Sequence, residues 1–145
     1  MIYIAGPFFN EEQLTLIKQI EEYLEISNID FFSPRSAGSL KDMSDADKKK
    51  KFDDIYDSNI HNMYVAQTMI AVIDDYDPGT VFEMGYFTRL KSEFPDKRLI
   101  TISNKNYGIN IMLKNAINYH VTDVADLLEA IVSSEDNDHD FGEVE

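Results

Sequence analysis

The residues of this chain best suited to chemistry on a small molecule lie together in Asp74-Asp75-Tyr76-Asp77-Pro78-Gly79-Thr80-Val81-Phe82-Glu83-Met84-Gly85-Tyr86. They follow the apolar run Met69-Ile70-Ala71-Val72-Ile73 and lead into a segment of helical character. Several carboxylates therefore stand at the carboxyl end of an expected strand, with Glu83 in the first turn of the next helix. In open α/β sheets, ligands bind in the crevice beyond the strand carboxyl ends. A carboxylate near the positive end of a helix is kept ionised and positioned, which makes Glu83 a candidate nucleophile. A purely structural reading fits the same residues. Thr80-Val81-Phe82-Glu83 matches a capping box, whose two side chains satisfy free N–H groups at a helix start, and Pro78-Gly79 is an ordinary turn signal.

The elements that must position these groups can be read from the hydrophobic spacing. Ile2 to Ala5 forms a first strand closed by Gly6-Pro7, and Leu16, Ile17, Ile20, Tyr23 and Leu24 recur at helical spacing between Asn10 and Ile26. Ile29 to Ser33 is a short second strand ended by Pro34, and Arg35 to Asp45 reads as a loop over a site. A helix is expected from Asp47 to Ala66, with Phe52, Tyr56, Ile60 and Met63 on one face. A strand at Thr68 to Ile73, a helix from Thr80 to Phe94 and a strand at Arg98 to Ser103 follow. After a loop at Asn104 to Gly108 come a short helix at Ile109 to Ala116, an edge strand at Tyr119 to Val121 and a last helix from Asp123 to Ser133. This alternation predicts one α/β domain at 1–134, a doubly wound, mainly parallel five-stranded sheet covered on both faces. Residues 135–145 form an acidic tail, either disordered or docked.

Bulk properties narrow the function. The 145 residues, 43% hydrophobic and 28% charged, suffice for one proper core. The net charge of −14 argues against nucleic acid as a partner, because that binding needs Lys and Arg to neutralise phosphates. Six of the acids lie in the tail, and the remaining chain is still at −8. Lys48-Lys49-Lys50-Lys51 is the one basic run and reads as a solvated helix start. No apolar run is long enough to span a bilayer. The first residues lack the basic region of a signal peptide, and there is no cysteine. A cytoplasmic location is expected.

Further candidates flank the acidic segment. Gly6-Pro7-Phe8-Phe9 places two aromatics at a strand end, where they either pack on the first helix or offer a stacking surface to a planar ring. Ile109-Asn110-Ile111-Met112 offers an amide and a thioether beyond the fourth strand. Asn110 also fits a helix cap, and Met112 a gap-filler in a core.

Taken in order, Ile2-Tyr3 with Gly6 and the aromatic pair, the Asp-x-Gly-x-x-x-Glu-x-Gly-Tyr pattern from Asp77 to Tyr86, and Ile109-Asn110-Ile111-Met112 resemble the nucleoside 2-deoxyribosyltransferase family. The resemblance implies a flavodoxin/Rossmann-like fold and an enzyme of nucleotide salvage that exchanges the base of 2′-deoxynucleosides with retention. By that resemblance, Glu83 attacks C1′ of the sugar, Tyr3 fixes its rotamer, and Asp77 meets the base edge and moves a proton. Phe8 and Phe9 flank the base, and Gly6 and Gly79 line the site. Substrates are deoxynucleosides and free nucleobases. The resemblance also implies a homo-oligomer, hexamer or dimer, with Asn110 and Met112 reaching an adjoining subunit's pocket. No metal or organic cofactor is expected, and His61, His120 and His139 are too scattered in sequence to form a ligand set.

Two departures stand out. Where the family carries an acid in the preceding helix, the apolar positions align Asn59, with Asp57 two residues away. At about 100° per residue, Asn59 lies nearer the centre of the apolar face than Asp57 does. Asn59 is therefore the better candidate. The tail keeps Phe141 and Val144 but is more acidic than the aromatic family tails that enter a site. Competing readings are an N-glycoside hydrolase acting on deoxynucleosides or their monophosphates, and a non-catalytic signalling module binding Mg²⁺ through Asp74, Asp75 and Asp77. The hydrolase reading for nucleotides would need a phosphate clamp. The first loop has no Arg, which leaves Arg35 as the substitute.

Overall fold

The computed structural model describes residues 1–37, 40, 42–106 and 108–145. Its strands are β1 (Ile2–Ala5), β2 (Phe31–Phe32), β3 (Thr68–Val72), β4 (Arg98–Ile102) and β5 (Tyr119–Val121). The helices are α1 (Glu11–Ile26), α2 (Asp45–Val65), α3 (Pro78–Glu93), α4 (Ile111–Ala116) and α5 (Leu127–Val132). All strand pairs are parallel, in the order β2-β1-β3-β4-β5, so the expected doubly wound sheet is the one observed.

Strand alternation divides the core in two. Ile2 and Ile4 of β1 and Ile70 and Val72 of β3 face Ile17, Ile20 and Leu24 of α1 and Leu127 and Ala130 of α5. Tyr3, Ala5, Met69 and Ala71 point the other way, onto Met63 of α2 and Met84, Phe87 and Leu90 of α3. Every residue of β1 and β3 is buried, as expected of parallel strands sandwiched by helices. Tyr3 is thereby delivered to the face that carries α3.

The boundaries differ from expectation in instructive places. The second strand shrinks to Phe31–Phe32, and a 3-10 turn at Pro34–Ala37 replaces the start of the expected loop. Gly38, Ser39 and Lys41 of that loop, and Tyr107 of the later one, lie outside the described residues. Phe52 and Tyr56, expected on the buried face of α2, are 55% and 56% exposed, while Met63 is buried. The first half of α2 therefore stands clear of the core. The last helix splits into a 3-10 turn at Val124–Asp126 and α5.

The acidic tail is docked. The Arg98 guanidinium donates to the Glu135 carbonyl at 2.7 Å and to Asp136 Oδ1 at 3.2 Å, and Asn137 exchanges hydrogen bonds with the His120 backbone. Further on, Ile109 pairs with Val144 in a parallel bridge. Among the described residues no helix is long and apolar enough to cross a membrane.

Candidate active site

At the β1/β3 boundary, α1 leaves on one face of the sheet and α3 on the other. The loops that follow β1 and β3 diverge there and open a crevice, the usual ligand site of such sheets. Gly6 begins the first of these loops. A Cβ at Gly6 would lie 2.8 Å from Ile17 Cδ1 and 3.0 Å from Val72 Cβ, so a side chain there would force Ile17 and Val72 to shift. Beyond it, Phe8 and Phe9 stack on each other at 5.2 Å, exposed by 37% and 75%. The outer ring, Phe9, is open to solvent over most of its surface.

The loop after β3 turns through two left-handed residues, Asp75 (φ 63°) and Tyr76 (φ 46°). Neither is glycine, and such backbone costs on the order of 1–3 kcal/mol per residue. It is held from several sides. Tyr76 Oη donates to the Gly108 carbonyl at 2.8 Å, and the Asp75 carboxylate accepts from Gln13 Nε2 at 2.9 Å. Buried Asp74 accepts from the Ser103 hydroxyl. The three acids of the Mg²⁺ reading therefore engage three different partners, Asp77 having its own in α3. Among the described residues no three His, Cys, Asp or Glu side chains converge on one point.

The capping box is overturned by the geometry of the helix start. The cap of α3 is Asp77, whose Oδ2 accepts from the Thr80 backbone N–H at 2.8 Å and from its hydroxyl at 2.9 Å. Pro78 opens the helix, where its missing N–H costs nothing. Gly79 leaves the space that a Cβ would take 3.2 Å from Asp77 Oδ2. Glu83 thus falls in the second turn, with no part in the cap.

Its carboxylate instead points into the protein. Glu83 Oε2 and the Tyr3 hydroxyl are both sealed from solvent, and neither has a well-formed hydrogen bond. Each nevertheless acts on the other. Burial, the largest cause, pushes the Glu83 carboxyl up to about 7, the Tyr3 hydroxyl pulls it back, and the charge of Asp77 adds to the rise. Burial, with the charge of Glu83, holds the Tyr3 phenol far above its usual range, so it remains a neutral donor. A buried carboxyl shifted in this way by desolvation and a neighbouring charge marks a candidate functional group.

The remaining candidates are more dispersed. Asn59 is half-buried and lines a separate cavity of about 230 Å³ with Phe32, Ser36, Lys51, Asp54 and Ser58. Asp57 is exposed. Asn110 caps α4, accepting from the Met112 N–H at 2.8 Å, and Met112 is 76% exposed rather than filling a core. The tail lies beside them, since Glu145 N donates to the Ile109 carbonyl at 2.9 Å and the charge of Glu145 reaches Tyr76. Another cavity, of about 260 Å³, opens past β4 and β5 between Lys105, His120, His139 and Phe141. His120 and His139, distant in sequence, meet there at 4.4 Å. Burial, then the charge of His139, lowers His120 to about 4.

A protein-family model described as nucleoside 2-deoxyribosyltransferase matches residues 2–112, a span that includes Tyr3, Asp77 and Glu83. The chain belongs to the nucleoside 2-deoxyribosyltransferase family. Among solved structures it is similar to a 2-deoxyribosyltransferase from Bacillus psychrosaccharolyticus, at 27% identity and a TM-score of 0.74, over 87% of this chain and 88% of that one. Among curated proteins it is 32% identical over 119 residues to an uncharacterised protein of Ureaplasma parvum, covering 75% of this chain and 72% of the other. A Leishmania mexicana 2-desoxiribosyltransferase (22% identity, TM-score 0.51, 74% of this chain and 66% of the other) shares the fold. So does a CMP N-glycosidase from Clostridium botulinum (14% identity, TM-score 0.53, 90% and 98%). This family membership, with the structural match, makes the chain an enzyme of the nucleoside deoxyribosyltransferase kind.

Two residues that brace the loop after β3 carried no signal in the sequence pattern. Gln13 sits among surface residues of α1, and Lys105 in a turn-rich loop, yet both contact Asp75. The Asp77 cap lies three residues before the Thr80–Glu83 box expected from the sequence, which did not point to Asp77 as a cap.

The burial of Glu83 has a consequence for stability. Its carboxyl pKa is raised from 4.5 to about 7, so this group costs the fold nothing below pH 4.5. Stability is lost as the pH climbs through that window, by on the order of 3 kcal/mol once the group is fully ionised. Glu83→Gln should melt close to wild type at pH 4.5 and several degrees higher at pH 8. A constant difference across this range in thermal melts would show that the carboxylate is not desolvated as described.

Proposed function

We propose that this chain is a nucleoside 2-deoxyribosyltransferase that exchanges the base of 2′-deoxynucleosides through a covalent deoxyribosyl ester on Glu83. The observation that carries this reading is the Glu83 carboxylate, buried beside Tyr3 at the β1/β3 crevice and raised to about 7. In the first step a Glu83 oxygen bonds to C1′, the C1′–N bond breaks, and its electron pair leaves on the base nitrogen, which takes a proton by way of Asp77. In the second, a nitrogen of the acceptor base attacks C1′. The ester C–O bond breaks, its pair returns to the carboxylate, and the acceptor's proton passes to Asp77. Two displacements give overall retention. Tyr3, buried beside the carboxylate, holds its rotamer, while Phe8 and Phe9 cover the faces of the base.

Asn59 is assigned to a hydroxyl or base edge, its amide standing where the family has an acid. Asn110 and Met112 are assigned to a neighbouring subunit's site in a homo-oligomer, hexamer or dimer. The exposure of Phe82, Ile111 and Met112 supports a face covered by another copy. The setting is cytoplasmic nucleotide salvage. Glu83→Ala should lower base exchange by several orders of magnitude. Wild type given a donor and no acceptor should carry a deoxyribosyl adduct on the Glu83 peptide by mass spectrometry. Turnover above about a tenth of wild type in the mutant removes Glu83 from the role. Release of free base at the full exchange rate without acceptor would make the enzyme a hydrolase.

Asp77→Asn separates the cap from the proton. The amide oxygen still accepts from Thr80, so folding should be preserved. Exchange should fall most for donors whose base must be protonated to leave, and least for an activated nitrophenyl deoxyriboside. Equal losses on both donors would contradict the leaving-group assignment.

Free deoxynucleosides should be preferred to their 5′-monophosphates. Arg35, the one substitute for a phosphate clamp, is held by Glu21, with Nε to Oε1 at 2.8 Å and Nη2 to Oε2 at 2.5 Å. Lys105 is tied to Glu12 at 3.0 Å and to Asp75 at 3.6 Å. A dianion therefore meets the acidic field of the protein without these cations. For deoxyadenosine and deoxycytidine, kcat/KM should exceed that of the monophosphates by about tenfold or more. The reverse order would move the chain to the nucleotide hydrolases.

A further inference from the structure

We infer that Gln13 is a positioning residue for the aromatic loop, setting Phe8 and Phe9 over the crevice through a relay of side chains that ends on Lys105. The inference rests on the base-covering role proposed for the two rings. Phe9 is 75% exposed and stacks on the less exposed Phe8, so core packing does not fix the outer ring of the pair. Its backbone must do so, and the Phe9 N–H donates to Gln13 Oε1 at 3.0 Å. The other end of the same amide, Nε2, donates to Asp75 Oδ2 at 2.9 Å. Asp75 Oδ1 faces Lys105 Nζ at 3.6 Å, and Lys105 returns to Glu12 Oε1 at 3.0 Å, next to Gln13 on α1.

The relay joins three loops that leave three different strands: β1 to α1, β3 to α3, and β4 to α4. An amide suits the central place because it accepts from a backbone N–H on one side and donates to a carboxylate on the other. A glutamate there would oppose Asp75, and a lysine has no acceptor for Phe9. The segment carrying Gln13 is itself fixed, since the Gln13 N–H donates to the cap residue Asn10 at 2.9 Å. The left-handed backbone at Asp75 belongs to the same device, as it lies two residues before the Asp77 cap. A shift of Gln13 is thus transmitted to the ring pair at one end and to the turn before α3 at the other.

Gln13→Leu keeps much of the volume and removes both hydrogen bonds. It should raise KM for deoxyadenosine about tenfold, the worth of a hydrogen bond to a charged group, with kcat within about twofold of wild type. Hydrogen exchange at the backbone of Phe8 and Phe9 should accelerate while α3 stays protected. Asp75→Gly breaks the relay from the far end, keeps the left-handed backbone accessible, and should reproduce the KM rise even if Gln13→Leu lowers the melting temperature. Asp75→Asn retains an acceptor for Gln13 and tolerates that backbone, so it should stay near wild type. Unchanged exchange at Phe9 in Gln13→Leu, or KM within about twofold of wild type in both relay-breaking variants, would overturn the inference. If wild type exchanges no bases at all, the transferase reading fails alone, because exchange at Phe9 still reports whether Gln13 holds the loop.

Discussion

Removing the Glu83 carboxylate from water creates the tension around which this molecule is arranged. An ionised group in a desolvated pocket is unfavourable unless charge or hydrogen bonds offset it, and here the offset is deliberately incomplete. Tyr3 is close enough to lower the carboxyl pKa but makes no full hydrogen bond, and Asp77 pushes the other way. A better-satisfied carboxylate would be a weaker nucleophile. The scaffold carries the difference: Tyr3 lies within the most buried strand, and Met84 and Phe87, which flank Glu83 along α3, are locked into the core.

Much of the architecture was legible because parallel strands and amphipathic helices write their period into the sequence. β1 appears with the boundaries read from Ile2 to Ala5, and β5 with those read from Tyr119 to Val121. Errors arose where local chemistry offers two solutions. Thr80 and Asp77 are both capable caps, and the choice between them depends on Pro78, whose fixed geometry favours the first helical position. The apolar face read on α2 was correct at Met63 and wrong at Phe52 and Tyr56, because periodicity marks which residues share a face, not what covers it. The reading of Glu83 as a functional group needed only its place after a strand, whereas Gln13 and Lys105 became visible only when three loops were brought together. Contacts between residues 62 positions apart leave no trace in the spacing of a single chain.

The tail illustrates the same limit. Its composition suggests a solvated, repulsive segment, yet its acids are arranged against Arg98 and its backbone extends along the segment before α4. Phe141 then packs against two touching histidine rings, His120 and His139, at 4.7 Å from each. Charge content predicts how a segment behaves when free, and here the partner on the domain decides the outcome.

The Glu21–Arg35 pair bears on how such an enzyme diverges. Glu21 is buried in α1, and its carboxylate is satisfied by a guanidinium from the turn after β2. Recruiting Arg35 to a substrate would strand Glu21 as an uncompensated buried charge, an expensive state. Replacing Glu21 first would free the arginine before any ligand exists to use it. The two positions are therefore epistatic: neither change is favourable alone, and their effects do not add. Turning that arginine toward a charged substrate therefore calls for change at both positions together.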